Sequence, residues 1–181
     1  MYKIFFLLIY LLLIPGKTYA FEYDPLLIRA QASIFPKIIL LDKDIDSKLE
    51  NNKIVIEILH AEEDKNTALT IKSLIENQYK KNLGKKPLLV RLKTLNSFNH
   101  EGTVTAYFIL KGSSEIHKKI TSHAANKKRL VFSYDHKDFE SNTLISLLMK
   151  EKTYIYLNKS AIHDYDIKFL PLFYKIVKVI E

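Results

Sequence analysis

Cysteine is absent from all 181 residues, which removes disulfide switching, thiol catalysis and thiolate metal sites from consideration. Glycine is scarce, with four residues. Neither a G-x-G-x-x-G string nor a phosphate loop occurs, so the glycine-dependent nucleotide cradles are excluded. Long hydrophobic runs are lacking too. The longest, residues 4–14, falls short of the roughly 20 apolar residues needed to span hydrocarbon as a helix.

That short run nevertheless has a context. Met1 and Lys3 precede it, Pro15-Gly16 breaks it, and Thr18-Tyr19-Ala20 places small residues at −3 and −1 of a cleavage point. A positive start, a short apolar segment and small residues before the cut describe a secretory signal peptide over residues 1–20. Phe21 rather than cysteine follows, so a bacterial lipid anchor is not indicated. The expectation is a periplasmic protein with one domain over residues 21–181, a length that supports a single sizeable core without disulfides.

The chain carries 28 Lys+Arg against 20 Asp+Glu, of which Lys3 and Lys17 belong to the leader. Lys80, Lys81, Lys85, Lys86, Arg91 and Lys93 form a basic stretch without an acidic residue. Nucleic acid binding would ask for interleaved aromatic side chains, and the nearest, Tyr79, falls on an apolar helical face. Helix ends account for the charge better. Cations favour a helix C-terminus, and these lysines surround one expected to close at Gly84, as Lys127, Lys128 and Arg129 surround the next. No nucleic acid partner is expected.

Hydrophobic periodicity gives alternating helices and strands. Asp24-Pro25 reads as a helix start, followed by Leu27, Ala30, Ile34 and Ile38 at helical spacing up to Leu41, with an interruption expected at Pro36. Residues 53–60 (KIVIEILH) form a buried strand. Ala68, Ile71, Leu74, Ile75 and Tyr79 share a helical face. Residues 88–93 and 103–110 are strands, Ser113 or Ser114 caps a helix to about Asn126, and residues 130–134 (LVFSY) are another strand. A hairpin joins residues 143–149 to 153–158 across Lys150-Glu151-Lys152, and a closing helix buries Leu170, Phe173, Tyr174 and Val177. The pattern predicts a three-layer α/β domain: a mostly parallel, mixed sheet, helices on both faces, and the C-terminal antiparallel hairpin as an edge. Its core is expected at Ile54, Val55, Ile56, Ile58, Val90, Phe108, Ile109, Val131, Phe132, Ile145 and Ile155.

Several strings in this order carry a family resemblance. They are residues 83–91 (LGKKPLLVR), residues 105–110 (TAYFIL) with Ser113-Ser114, and residues 130–135 (LVFSYD) with Asp138-Phe139. To these the C-terminal block adds residues 144–147 (LISL), 154–158 (YIYLN), Ala161 and 167–175. Together they resemble the YfiR-like family of periplasmic regulatory proteins over roughly residues 26–179. The chain departs from the family pattern at Asn142-Thr143, where paired glycines are usual, and at Leu41-Asp42, where tryptophan-proline is usual. It also lacks the cysteines of the best-known member, so redox sensing does not carry over. The resemblance implies an exported signalling accessory protein without catalysis or cofactor. Its partner would be the periplasmic sensor domain of an inner-membrane receptor, a diguanylate cyclase of cyclic-di-GMP signalling or a histidine kinase. A homodimer is compatible with this role, and a periplasmic small-ligand-binding protein is the other reading.

Candidate sites are few. The histidines His60, His100, His117, His123, His136 and His163 offer no i,i+4 pair, and His117 and His123 stand about 120° apart around a helix. Scattered surface positions account for them, and no metal site is expected. Lys111, Ser113, Ser114, Asp135 and His136 fall at strand C-terminal ends, where α/β domains hold ligands, and form a candidate ligand rim. A serine-histidine-aspartate group could be sketched from the same residues, but no G-x-S-x-G elbow supports a nucleophile. Ile38, Ile39, Leu40 and Leu41 form a candidate partner surface, because four consecutive apolar residues on a helix point all round it.

Overall fold

Asp24 opens the first helix of the described residues, α1 (Pro25–Ile39). Its side chain accepts from the backbone N–H groups of Leu26 and Leu27, and Pro25 occupies the first turn, where its missing donor leaves nothing unpaired. This computed structural model describes residues 22–99 and 101–180; the expected leader, Phe21 and His100 lie outside them. Pro36 does not interrupt α1 as its missing N–H suggested. Ala32, Phe35, Pro36, Ile38 and Ile39 are all buried, and tertiary packing of a buried face outweighs one lost helical bond.

Among the described residues eight strands build one sheet: β1 (Ile54–His60), β2 (Asn82–Leu83), β3 (Lys86–Thr94), β4 (Ala106–Ile109), β5 (Leu130–Ser133), β6 (Ile145–Met149), β7 (Thr153–Asn158) and β8 (Val177–Ile180). Their order is β2-β3-β1-β4-β5-β6-β7-β8. β1 lies between β3 and β4, parallel to both, with Ile56 opposite Val90 on one side and Ala106 on the other. β5 and β6 extend the parallel run. β7 turns back antiparallel, Leu147 facing Ile155. The hairpin is therefore present but is not the edge, because β8 pairs with β7 on its outer side.

Among the described residues four further α-helices follow: α2 (Lys65–Tyr79), α3 (Ser114–Asn126), α4 (Lys159–Tyr165) and α5 (Pro171–Ile176). Consecutive strand residues point to opposite faces, and Tyr107 and Phe108 show which helices lie where. Phe35 of α1 meets Phe108 edge-on at 5.0 Å and stacks on Phe132 at 4.5 Å. α2 joins α1 there, with the Tyr79 hydroxyl donating to the Ser33 carbonyl at 2.5 Å. On the opposite face His123 of α3 meets Tyr107 at 6.4 Å, and α4 packs beside α3. The result is the three-layer α/β domain. All the expected core residues are buried except Ile155, which is half-buried.

Three local expectations fail for identifiable reasons. α2 ends at Tyr79, not Gly84: Lys80 and Lys81 take the left-handed conformation themselves, with φ 47 and 63. Gly84 (φ 61) instead sits in the β2–β3 turn, where Leu83 pairs with Lys86. The closing helix is only six residues long, and of its expected buried set only Phe173 is buried, while Val177 belongs to β8. Leu170 and Tyr174 face solvent. Finally, His60 and His117 are not at the surface; both are buried, at 3% and 1% exposure.

Candidate functional site

From β1 the chain crosses to β3 on one side and then returns past β1 to β4 on the other, so its winding reverses between β1 and β4. In open α/β sheets that reversal leaves a crevice beyond the strand C-termini. Here it is a recess of about 470 Å³ lined by Ala61, Glu62, Glu63, Leu95, Asn96, Gly112, Ser113 and Ile116. The two glutamates come from the turn after β1 and Asn96 from the turn after β3, while Gly112 and Ser113 lead into α3. Ser113 caps α3, accepting from the Ile116 N–H at 3.3 Å.

The wall is tight. A Cβ on Gly112 would approach Leu95 Cδ1 to 2.9 Å and His117 Nε2 to 3.1 Å, so glycine is required there by close packing. His117 lies against that wall. Its Nε2 is 3.2 Å from the Leu110 carbonyl, which can only accept, so Nε2 carries a proton. Its Nδ1 is 3.3 Å from Asp138 Oδ1. Nε2 is thus engaged by the backbone, whereas Nδ1 is buried without a hydrogen-bond partner among the described residues, and Ser113 Oγ is occupied in capping α3.

The structure divides the expected ligand rim. Only Ser113 lines the recess. Lys111 belongs to an aromatic cluster: its Nζ donates to the Glu22 carbonyl at 2.7 Å and lies 5.2 and 5.3 Å from the rings of Tyr23 and Tyr134. The Tyr23 hydroxyl donates to Asp64 Oδ2 at 2.7 Å and accepts from the Lys111 N–H. Burial, with that carboxylate as acceptor, pushes the Tyr23 phenol well above its ordinary value, which keeps it a neutral donor. Ser114 Oγ bonds Ser141 Oγ at 3.0 Å. Asp135 accepts from the Lys137 N–H, and the His136 ring lies 3.3 Å from it. Glu62, Glu63 and Asn96 were missed because each reads as an ordinary turn residue; only the strand order brings them together.

The expected partner surface is also divided. Ile38 and Ile39 are buried, at 1% and 0% exposure, so a folded chain cannot offer them to a partner. Segment 168–170 covers this end of α1: Lys43 N–H donates to the Lys168 carbonyl and Leu170 N–H to the Leu41 carbonyl. Leu41 is half-buried, and Leu40 leans toward Gly84 while remaining 36% exposed. Exposed apolar side chains concentrate elsewhere. Leu170, Leu172, Tyr174, Ile176 and Val179 are all at least 41% exposed. They belong to α5, its approach and β8, the edge strand.

No family model matches the chain, and no curated protein matches it. Solved structures do. A conserved domain protein from Vibrio cholerae matches with a TM-score of 0.59 at 9% identity, over 85% of this chain and 60% of that one. The ABC domain in complex with L-Trp from Streptococcus pneumonia matches with a TM-score of 0.50 at 11% identity, over 79% of this chain and 60% of that one. The chain thus spans about 60% of the length of each. At such identities the likeness is one of fold.

Proposed function

We propose that this chain is an exported accessory protein that binds the periplasmic domain of an inner-membrane sensor and carries out no reaction of its own. The observation that supports the reading most is the apolar strip along the β8 edge. Five large apolar side chains exposed within residues 170–179 exceed the scattered exposure normal for a monomer surface. An edge strand also offers unpaired backbone groups to an incoming segment. A partner held in one state by such contact is shifted toward that state in proportion to the difference in affinity. The YfiR-like strings point the same way, toward a diguanylate cyclase or histidine kinase as the output.

The test is binding of the purified protein to the periplasmic domains of inner-membrane diguanylate cyclases and histidine kinases from the same organism. Leu172→Asp with Val179→Asp should weaken binding at least about 30-fold, the loss typical of an interface hot spot. The same variant should melt close to wild type, because both side chains are more than half exposed. Rising salt should weaken binding as well if the basic excess of the chain steers association. Unchanged binding by the double variant refutes the reading, and concentration-dependent dimerisation lost in that variant would assign the strip to a second copy instead.

A second reading, a small-ligand-binding protein, is favoured by the recess at the β1–β4 reversal. The L-Trp complex of the Streptococcus domain makes an amino acid the first ligand to try. Saturable heat on titration with L-Trp, abolished by Gly112→Val, would support it.

A further inference from the structure

A second recess, of about 480 Å³, opens where segment 43–48 faces residues 127–129 and Asp166. It lies toward the N-terminal ends of the strands, since Lys48 precedes β1 and Arg129 immediately precedes β5. Its lining is dense in charge, and most of that charge is already matched. Asp166 pairs with Lys128, Asp46 with Lys86, and Lys48 with the buried Asp42. Among the described residues Lys43, Lys127 and Arg129 have no such partner, and Asp44 is the only lining carboxylate without one. The uncommitted groups therefore leave two positive charges in excess.

Arg129 is the informative member. The reversal that ends α3, with Lys128 left-handed (φ 53) and the Arg129 N–H donating to the Ala124 carbonyl at 2.8 Å, brings Arg129 back to the sheet. Its Nη1 is sealed from solvent and has no hydrogen-bond partner. A charged donor left unmade under burial is unfavourable, and burial lowers the Arg129 pKa accordingly. The residue also lines an adjoining recess of about 150 Å³ with Tyr107, His123 and Lys127. Burial lifts the Tyr107 phenol there to about 12, so it is a neutral neighbour; Asp42 also attracts Arg129, but its carboxylate is already paired with Lys48.

We propose that this recess binds a dianionic oxyanion ligand of the phosphate class, held by the Arg129 guanidinium with Lys127 and Lys43 flanking it. With Nη1 sealed, the Nε–Nη2 edge of the guanidinium is the donor pair that matches two oxygens of one phosphate, and a dianion balances the two excess charges. The recess is many times the roughly 30 Å³ share of a water molecule, so it has room for a phosphate monoester as well as free phosphate. Asp44 then serves as an acceptor for a hydroxyl of the organic part.

Calorimetric titration of the purified protein tests this, with inorganic phosphate and with glycerol phosphate, both at fixed ionic strength. Saturable heat is expected, and tighter binding of glycerol phosphate would identify a monoester rather than free phosphate as the fitting source. Arg129→Met should weaken binding about 10- to 100-fold, the range for losing a hydrogen bond to a charged group. Without ligand the same variant should melt at or above the wild-type temperature, because it removes an unpaired charge; a merely structural arginine would lower it. Lys118→Met, on an exposed turn of α3, should bind as wild type does. If Arg129→Met does not fold, Lys127→Met, an exposed position, replaces it and should weaken binding several-fold. The proposal is overturned by the absence of saturable heat with either anion up to about 10 mM, well above millimolar affinity. It is equally overturned if the folded Arg129 variant, or Lys127→Met in its place, binds as tightly as wild type.

Discussion

Ile39 and Leu40 are neighbours at the end of α1 and differ sharply in environment. Ile39 is fully buried and Leu40 is 36% exposed. Truncating a buried isoleucine to alanine removes its apolar surface and leaves a cavity, which costs about 2–5 kcal/mol. The upper half of that range applies where the surroundings cannot collapse. Here segment 168–170 is tied across the helix end by the Lys43–Lys168 and Leu41–Leu170 backbone bonds, which hold the walls apart. Ile39→Ala is therefore expected to cost about 3–4 kcal/mol, or roughly 6–16 °C in melting temperature at about 2–4 °C per kcal/mol for this chain length. With a urea slope near 2 kcal/mol/M, the midpoint should fall by about 1.5–2 M. Leu40→Ala should cost about 1 kcal/mol or less, since part of its surface is wet in the folded state. Urea unfolding of both variants, followed by circular dichroism, decides the matter. Equal midpoints for the two would refute the burial argument and reopen the whole helix end as a contact surface.

Two further outcomes follow from buried charge. Lys48 and Asp42, both under 5% exposed and 2.5 Å apart, form a buried pair; Lys48→Met strands the carboxylate and should cost about 3–5 kcal/mol, while adding Asp42→Leu should recover much of that loss in thermal melts. Glu57, buried in β1, has its pKa raised, first by burial and against the pull of Lys93 and Arg91. Its protonated form is favoured by folding, so its contribution is full below the ordinary value of 4.5 and is lost as pH rises through the folded value. Glu57→Gln should therefore stabilise the protein at neutral pH, with the gain fading below the ordinary carboxylate range; a gain that persists at pH 3 would contradict the sign.

What the sequence determined by itself was the layer order and the central strands. Parallel strands covered on both faces must be apolar along their whole length, and KIVIEILH at residues 53–60 and LVFSY at 130–134 are legible for that reason. The cap at Asp24-Pro25 and the cap at Ser113 were also legible, because they depend only on the residues beside them. The tertiary structure decided everything that depended on a partner distant in sequence. Leu170, Phe173, Tyr174 and Val177 have helical spacing, yet Val177–Ile180 pair with β7, and a ladder of β-branched residues outweighs a weak helical preference. Ile38 and Ile39 could not be told from an exposed patch until segment 168–170 was seen across them. The recess at the β1–β4 reversal exists only because β3 and β4 flank β1. That Arg129 lacks an ion-pair partner among the described residues is a property of the tertiary structure, since a lysine-arginine run at a helix end is the same in sequence whether its charge is matched or not.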